Sequence, residues 1–262
     1  MAATLRGRMS LLLLKLTLAP GLVTATTLAG RRWGPRMAGW LGGLPVVVAP
    51  ILLAITLEHG RAFGARAAGG ALLGLLSLTG FILAYGWFAR VMRWLPAAAL
   101  GWAAFLGMTL VLDQVDPPNW LSLLAVCASF AAAAALLPRA PAEAPGAAPR
   151  FDLVLRAAAT AALVLALTGL AGALGPRLSG LLASFPVLAT VLAAFTHAQE
   201  GPAAAAQLLR GFATGLVAFA VFCFSVAELL PHHAVAVTFL ASAGVALAAH
   251  AVSFVLQRAL SR

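Results

Sequence analysis

Charge is scarce in this chain. Of its 262 residues only 9% are Asp, Glu, Lys or Arg, against about 25% in an ordinary soluble domain. Acid is scarcer than base, with seven carboxylates beside seventeen Lys and Arg and a net charge of +10. No pair of intramembrane aspartates is present, nor an HExxH pair, a Ser/Lys or Ser/His pair at a telling spacing, or a nucleotide-binding loop. Only Cys127 and Cys223 represent cysteine. Each lies in an apolar run, which excludes a disulfide framework and leaves too few ligands for a metal site. His232 and His233 lack a third ligand in the same way. These absences argue against an enzyme, and no cofactor or metal is expected.

What fills the chain is apolar, at 63% hydrophobic residues. Several apolar runs of about 18–25 residues would cross a hydrocarbon core of about 30 Å as helices. The fold expected is therefore all-α, a polytopic transmembrane helical bundle. The positive charge does not point to nucleic acid, because the basic residues sit mostly between the runs, where they orient helices and meet anionic headgroups. Membrane lipids are the expected surroundings.

One stretch occurs twice. Residues 34–46 read GPRMAGWLGGLPV and residues 175–187 read GPRLSGLLASFPV. Gly34, Pro35, Arg36, Gly39, Leu41, Pro45 and Val46 recur as Gly175, Pro176, Arg177, Gly180, Leu182, Pro186 and Val187, each 141 residues later. Gly60 and Gly201, Gly70 and Gly211, Gly74 and Gly215, and Phe81 and Phe222 share that displacement. Lys15 and Arg156 do too, as a symmetric basic pair inside matching helices. Arg6 and Arg8 before an apolar run resemble a signal peptide, but a cleaved leader has no reason to match a helix of the second half.

About nine spans follow, at 11–30, 37–57, 66–89, 95–113, 119–137, 152–172, 178–198, 204–229 and 232–257. Residues 1–137 form a first repeat with a connecting helix, 138–151 a Pro/Ala-rich linker, and 152–262 a second repeat. Corresponding helices are five spans apart, an odd number, so the two four-helix repeats have inverted topology. On this count six basic residues lie on the N-terminal side and eleven opposite, which places the C-terminus in the cytoplasm.

Gly-Pro begins a helix well, and puts Arg36 and Arg177 in the first turn. Arginine there opposes the helix dipole, so these residues serve either topology or an anion held by the free N–H groups. Pro45 and Pro186 remove a helical hydrogen bond further along and predict a kink or break. These four are the substrate-binding candidates. His197 and Glu200, three apart on one helix face, are the proton-coupling candidates, with an interfacial polar end as the plainer reading. Lys15 and Arg156 are expected to snorkel to the interface, and His250 to be a satisfied histidine within span nine.

The stretch GLLASFPVLATVLAAFTHAQEG (residues 180–201) resembles the core segment of small bacterial GlpM-type inner-membrane proteins in its Gly-Leu, Phe-Pro and following His. The first-half copy, residues 39–60, is similar, with Leu44 for Phe185 and Thr56 for His197. The resemblance implies a duplicated bacterial inner-membrane protein linked to envelope or polysaccharide metabolism, and assigns no catalytic residue.

Together these features predict a secondary transporter of a small or lipid-like anionic substrate, working by alternating access. The alternatives are a non-transporting subunit that scaffolds an envelope or polysaccharide biosynthesis complex, and an intramembrane lipid-modifying enzyme. A homodimer or an envelope-complex partner fits either of the first two.

Overall fold

The structure is a computed structural model. It describes residues 2–138, 149–171 and 184–260, with side chains placed for 17–138, 149–166 and 184–255. Among the described residues there are nine helices and no strand. They are α1 (Ala2–Trp33), α2 (Pro35–Gly42), α3 (Val48–His59), α4 (Arg61–Phe88), α5 (Trp94–Leu112), α6 (Asn119–Leu136), α7 (Asp152–Ala171), α8 (Val187–Leu229) and α9 (Val235–Leu260). Five of them, α4, α5, α6, α8 and α9, are long and apolar enough to cross a membrane.

Three glycines organise the path. Gly34 (φ 89°, ψ 164°), Gly60 (φ 86°, ψ 167°) and Gly201 (φ 86°, ψ 175°) share one backbone conformation, in a region open essentially to glycine alone. At Gly34 and Gly60 the N–H still closes the preceding helix, on Gly30 O at 2.8 Å and Thr56 O at 2.9 Å. The carbonyls of the same two glycines start the next helix, accepting from Ala38 N and Gly64 N. The chain doubles back so tightly that residues four before and four after each of these glycines meet. A Cβ on Gly30 would stand 2.9 Å from that of Ala38, and one on Gly64 would collide with Thr56 Oγ1.

Gly201 lies inside α8, between arms 187–200 and 202–229, and Pro202 opens the second arm. At about 1.5 Å per residue a straight helix of that length would be about 65 Å long, twice a membrane. The glycine divides it near the end of the predicted seventh span. The predicted second span is divided differently, into α2 and α3, by non-helical residues 43–47.

Helices α4 and the second arm of α8 fill the centre, with Phe81, Tyr85, Leu72, Leu75, Leu209 and Phe222 buried between elements. Against the second arm of α8 lies α2, backbone to backbone. A methyl on Gly39 would strike the Leu208 carbonyl, one on Gly43 the backbone of Gly215, and one on Gly211 or Gly215 the carbonyls of Arg36 or Trp40. Gly39 and Gly43, at and just past the end of α2, and Gly211 and Gly215 on α8 make this approach, as small residues do in membrane helix pairs. The outer faces of α5, α6 and α9 expose Leu110, Val111, Leu124, Leu240 and Leu247, which suits lipid.

Polar ties sort the helix ends into two groups. At one end Asp152 accepts from Arg31 and Gln199, and Arg210 donates to the carbonyls of Leu137 and Pro138. At the other, Arg61 meets the carbonyl of His233, and Asn119 meets Glu228.

Candidate functional site

Each of the predicted prolines stands among non-helical residues just before a helix. Pro45 lies in residues 43–47, and Pro186 precedes α8 after non-helical residues 184–185. Neither proline kinks a continuous helix, contrary to the first of the two forms expected. Each begins a new one. Pro45 O accepts from Ala49 N at 3.0 Å, and Pro186 O accepts from Thr190 N at 2.8 Å; both residues of the second pair stand 141 positions after those of the first. The cause is local, since proline has no N–H to give the preceding turn and its fixed φ suits a helix start.

Around Pro186 the site is aromatic. Phe185 packs against Trp102 and Phe105 of α5, with ring centroids 6.0 Å and 5.2 Å apart. Trp102 Nε1 donates to Thr190 Oγ1 at 3.0 Å, and Ser184 Oγ donates to the Ala71 carbonyl of α4 at 2.8 Å. Before Pro45, on the short helix α2, Trp40 stacks on His250 of α9 and approaches Phe254. An α5 cover on one break and an α9 contact at the other come from opposite halves of the chain.

Arg36 occupies the first turn of α2 as expected. It is partly exposed, and its Nε is buried with no hydrogen-bond partner among the described residues. Arg177 and the rest of its Gly-Pro-Arg lie outside the described residues, as does the linker stretch 139–148. The side chain of Lys15 is also outside them.

Arg156 does not snorkel. It is 3% exposed and its Nε lies 2.9 and 3.0 Å from the two carboxylate oxygens of Asp152. Its second edge donates to Gln199 Oε1 at 3.1 Å, and its face covers the Phe195 ring at 5.0 Å. Asp152, itself 1% exposed, also accepts from Arg31 at 2.8 Å and Gln199 at 2.6 Å. A buried carboxylate and guanidinium repay their desolvation only when so fully bonded. The charge of Arg156 is used in joining α1, α7 and the first arm of α8. Asp152 was missed in the sequence, although its position four residues before Arg156 on one helix is a legible pairing signal.

Glu200 stands at the edge of this cluster, within electrostatic reach of Arg156, Asp152 and Arg31. His197 turns elsewhere. Its Nδ1 lies 3.4 Å from the hydroxyl of Tyr85, a residue with 0% exposure, with the rings edge to face. The two coupling candidates therefore share an arm but not a contact, and about 15 Å of helix separates His197 from Pro186. Among the described residues no group of three His, Cys, Asp or Glu is placed to hold a metal ion.

No protein-family model, curated protein or solved structure matches the chain. The molecule is a multi-pass membrane protein by its long apolar helices.

Proposed function

We propose that this protein is a secondary transporter of the bacterial inner membrane that moves a small or lipid-like anion by alternating access. The observation that carries the reading is the pair of proline-led helix starts, equivalent in sequence position and in hydrogen bonding. Discontinuous helices that expose backbone groups near mid-membrane are where such transporters hold substrate and coupling ion.

In this reading the chain makes nine passes as two inverted four-helix repeats joined by α6. The shared conformation of Gly60 and Gly201 and the sorting of polar ties into two ends support it, as does the contact each break makes with a helix from the other half. The C-terminus and the 138–151 linker face the cytoplasm. Arg36 and Arg177 draw the anionic group toward the breaks at Pro45 and Pro186. Glu200 and His197, at the polar end of the first arm of α8, exchange protons with the aqueous face.

The test is thermal stabilisation of the purified protein by a panel of carboxylates, sugar phosphates and anionic lipids, followed by uptake into proteoliposomes. A ligand of a folded state raises its stability by mass action. Arg36→Ala, Arg177→Ala and Pro186→Ala should each weaken the response to the active compound. Unchanged uptake by all three folded variants would sink the site assignment, and no response to any member of the panel would sink the anion.

A further inference from the structure

The buried side of α9 runs through Thr238, Ser242, Ala246 and His250, four residues apart and therefore one above another on the helix. Among the described residues, Thr238 Oγ1, Ser242 Oγ and both ring nitrogens of His250 have no hydrogen-bond partner. His250 is the telling member. It is 5% exposed, and its imidazole lies flat on the indole of Trp40, with ring centroids 3.8 Å apart and planes 17° from parallel.

That stack is held from both sides. Trp40 Nε1 donates to Ser253 Oγ at 2.9 Å, and Ser253 Oγ donates to the carbonyl of His250 at 2.8 Å. The backbone of Gly215, half-way along the second arm of α8, is a polar neighbour of the ring but lies outside hydrogen-bond geometry. Trp40 stands three residues before Gly43, where the first break opens. The imidazole is thus deep in the bundle, next to the break, and unlike Arg156 it is not tied into any network.

A histidine kept for packing ordinarily satisfies its nitrogens, since a buried polar group left unpaired has lost water and gained nothing in return. An ionisable side chain inside a membrane bundle is a functional candidate by default. The neutral ring carries one donor and one acceptor, and the protonated ring two donors, so a proton changes what the ring seeks from its surroundings. An indole face is a favourable neighbour for the protonated form.

We propose that His250 is the interior proton-binding site of this protein, and that Trp40 conveys its protonation state to α2 and the break that follows. Its purpose, though not its chemistry, rests on the transporter reading. The charged and titratable groups on the elements packed around it are Arg36 on α2; His197, Glu200, Arg210, Cys223 and Glu228 on α8; and Glu58 and His59 at the end of α3. None is hydrogen-bonded to the ring. Arg36 is one turn before Trp40 and so on its face of α2. An anion bound at Arg36 would offset its charge and ease proton uptake at His250, and by linkage a proton at His250 would favour the anion.

The experiment is a fluorescence titration of the purified full-length protein from about pH 9 to pH 5, the range in which histidine changes charge. The contribution of Trp40 is the difference between the wild type and Trp40→Phe or Trp40→Tyr. A protonated imidazole in contact with indole quenches its emission. The expected result is a single-proton loss of Trp40 emission on acidification, abolished in His250→Gln and His250→Asn and kept in His197→Gln and Glu200→Gln.

A flat Trp40 signal in the wild type overturns the proposal without any variant at His250 having to fold. So does a titration that survives His250→Gln, or one that disappears with His197→Gln or Glu200→Gln. Titration at His250 with no proton-driven uptake of any anion in the panel would leave this site standing and sink the transporter reading. Anion uptake with a flat Trp40 signal would do the reverse.

Discussion

Gly60 and Gly201, 141 residues apart in the chain, adopt the same backbone conformation, φ 86° with ψ 167° and φ 86° with ψ 175°. At Gly60 it ends α3 and begins α4; at Gly201 it joins the two arms of α8. Matching residues thus make matching turns, which a repeated motif alone would not guarantee.

Any side chain at these turns is strained. Gly60→Ala and Gly201→Ala should each cost about 1–3 kcal/mol, read as a lower unfolding temperature in detergent. Nothing lies within 4 Å of a Cβ at either position, so the cost would come from the backbone alone. Wild-type stability in Gly201→Ala would mean the turn is not of this form.

The crossing of α2 with α8 makes the opposite demand, on space. Gly39→Ala and Gly211→Ala should destabilise by about 1–3 kcal/mol or more, because each methyl meets a carbonyl that cannot move aside. Gly107→Ala is the control. Its Cβ meets open space inside α5, and it should be neutral or gain up to about 1 kcal/mol from helix propensity.

Removing Asp152 leaves Arg156 buried without its counter-ion. Asp152→Ala should cost about 3–5 kcal/mol, whereas Arg31→Gln, which removes the exposed partner, should cost less than about 1 kcal/mol. The double change Asp152→Ala with Arg156→Met should recover much of the loss, since apolar packing can replace a buried ion pair. A double variant as unstable as Asp152→Ala would assign the cluster a role beyond pairing.

Reporter fusions check the number of passes. Insertions in the 138–151 linker and after Arg262 should report the same face of the membrane, and insertions at Asp116 and His233 the other. The first two on opposite faces would rule out nine passes.

Local chemistry was legible in the sequence. The apolar runs announced the helices, because a bilayer core of about 30 Å demands about twenty apolar residues whatever the neighbours are. The 141-residue displacement pointed to Gly60 and Gly201 as equivalents, and proline, which cannot donate to a preceding turn, pointed to the non-helical residues between α2 and α3. Arg156 does not snorkel: Asp152, four residues earlier on its own helix, is a partner the sequence offers, but only the folded bundle brings Arg31 and Gln199 to the pair and buries it.

The tertiary structure alone decided which helices meet. Arg31 and Asp152 are 121 residues apart, and Trp40 and Ser253 are 213 apart, so no periodicity or spacing brings them together. Glycines at 39, 43, 211 and 215 could have served flexibility; only the crossing shows that they make room for two backbones. His250 is the clearest case. In the sequence it is one histidine in an apolar run, and whether its nitrogens are satisfied depends on α2 and α8 packing around it. Those helices bring it an indole and, among the described residues, no hydrogen-bond partner.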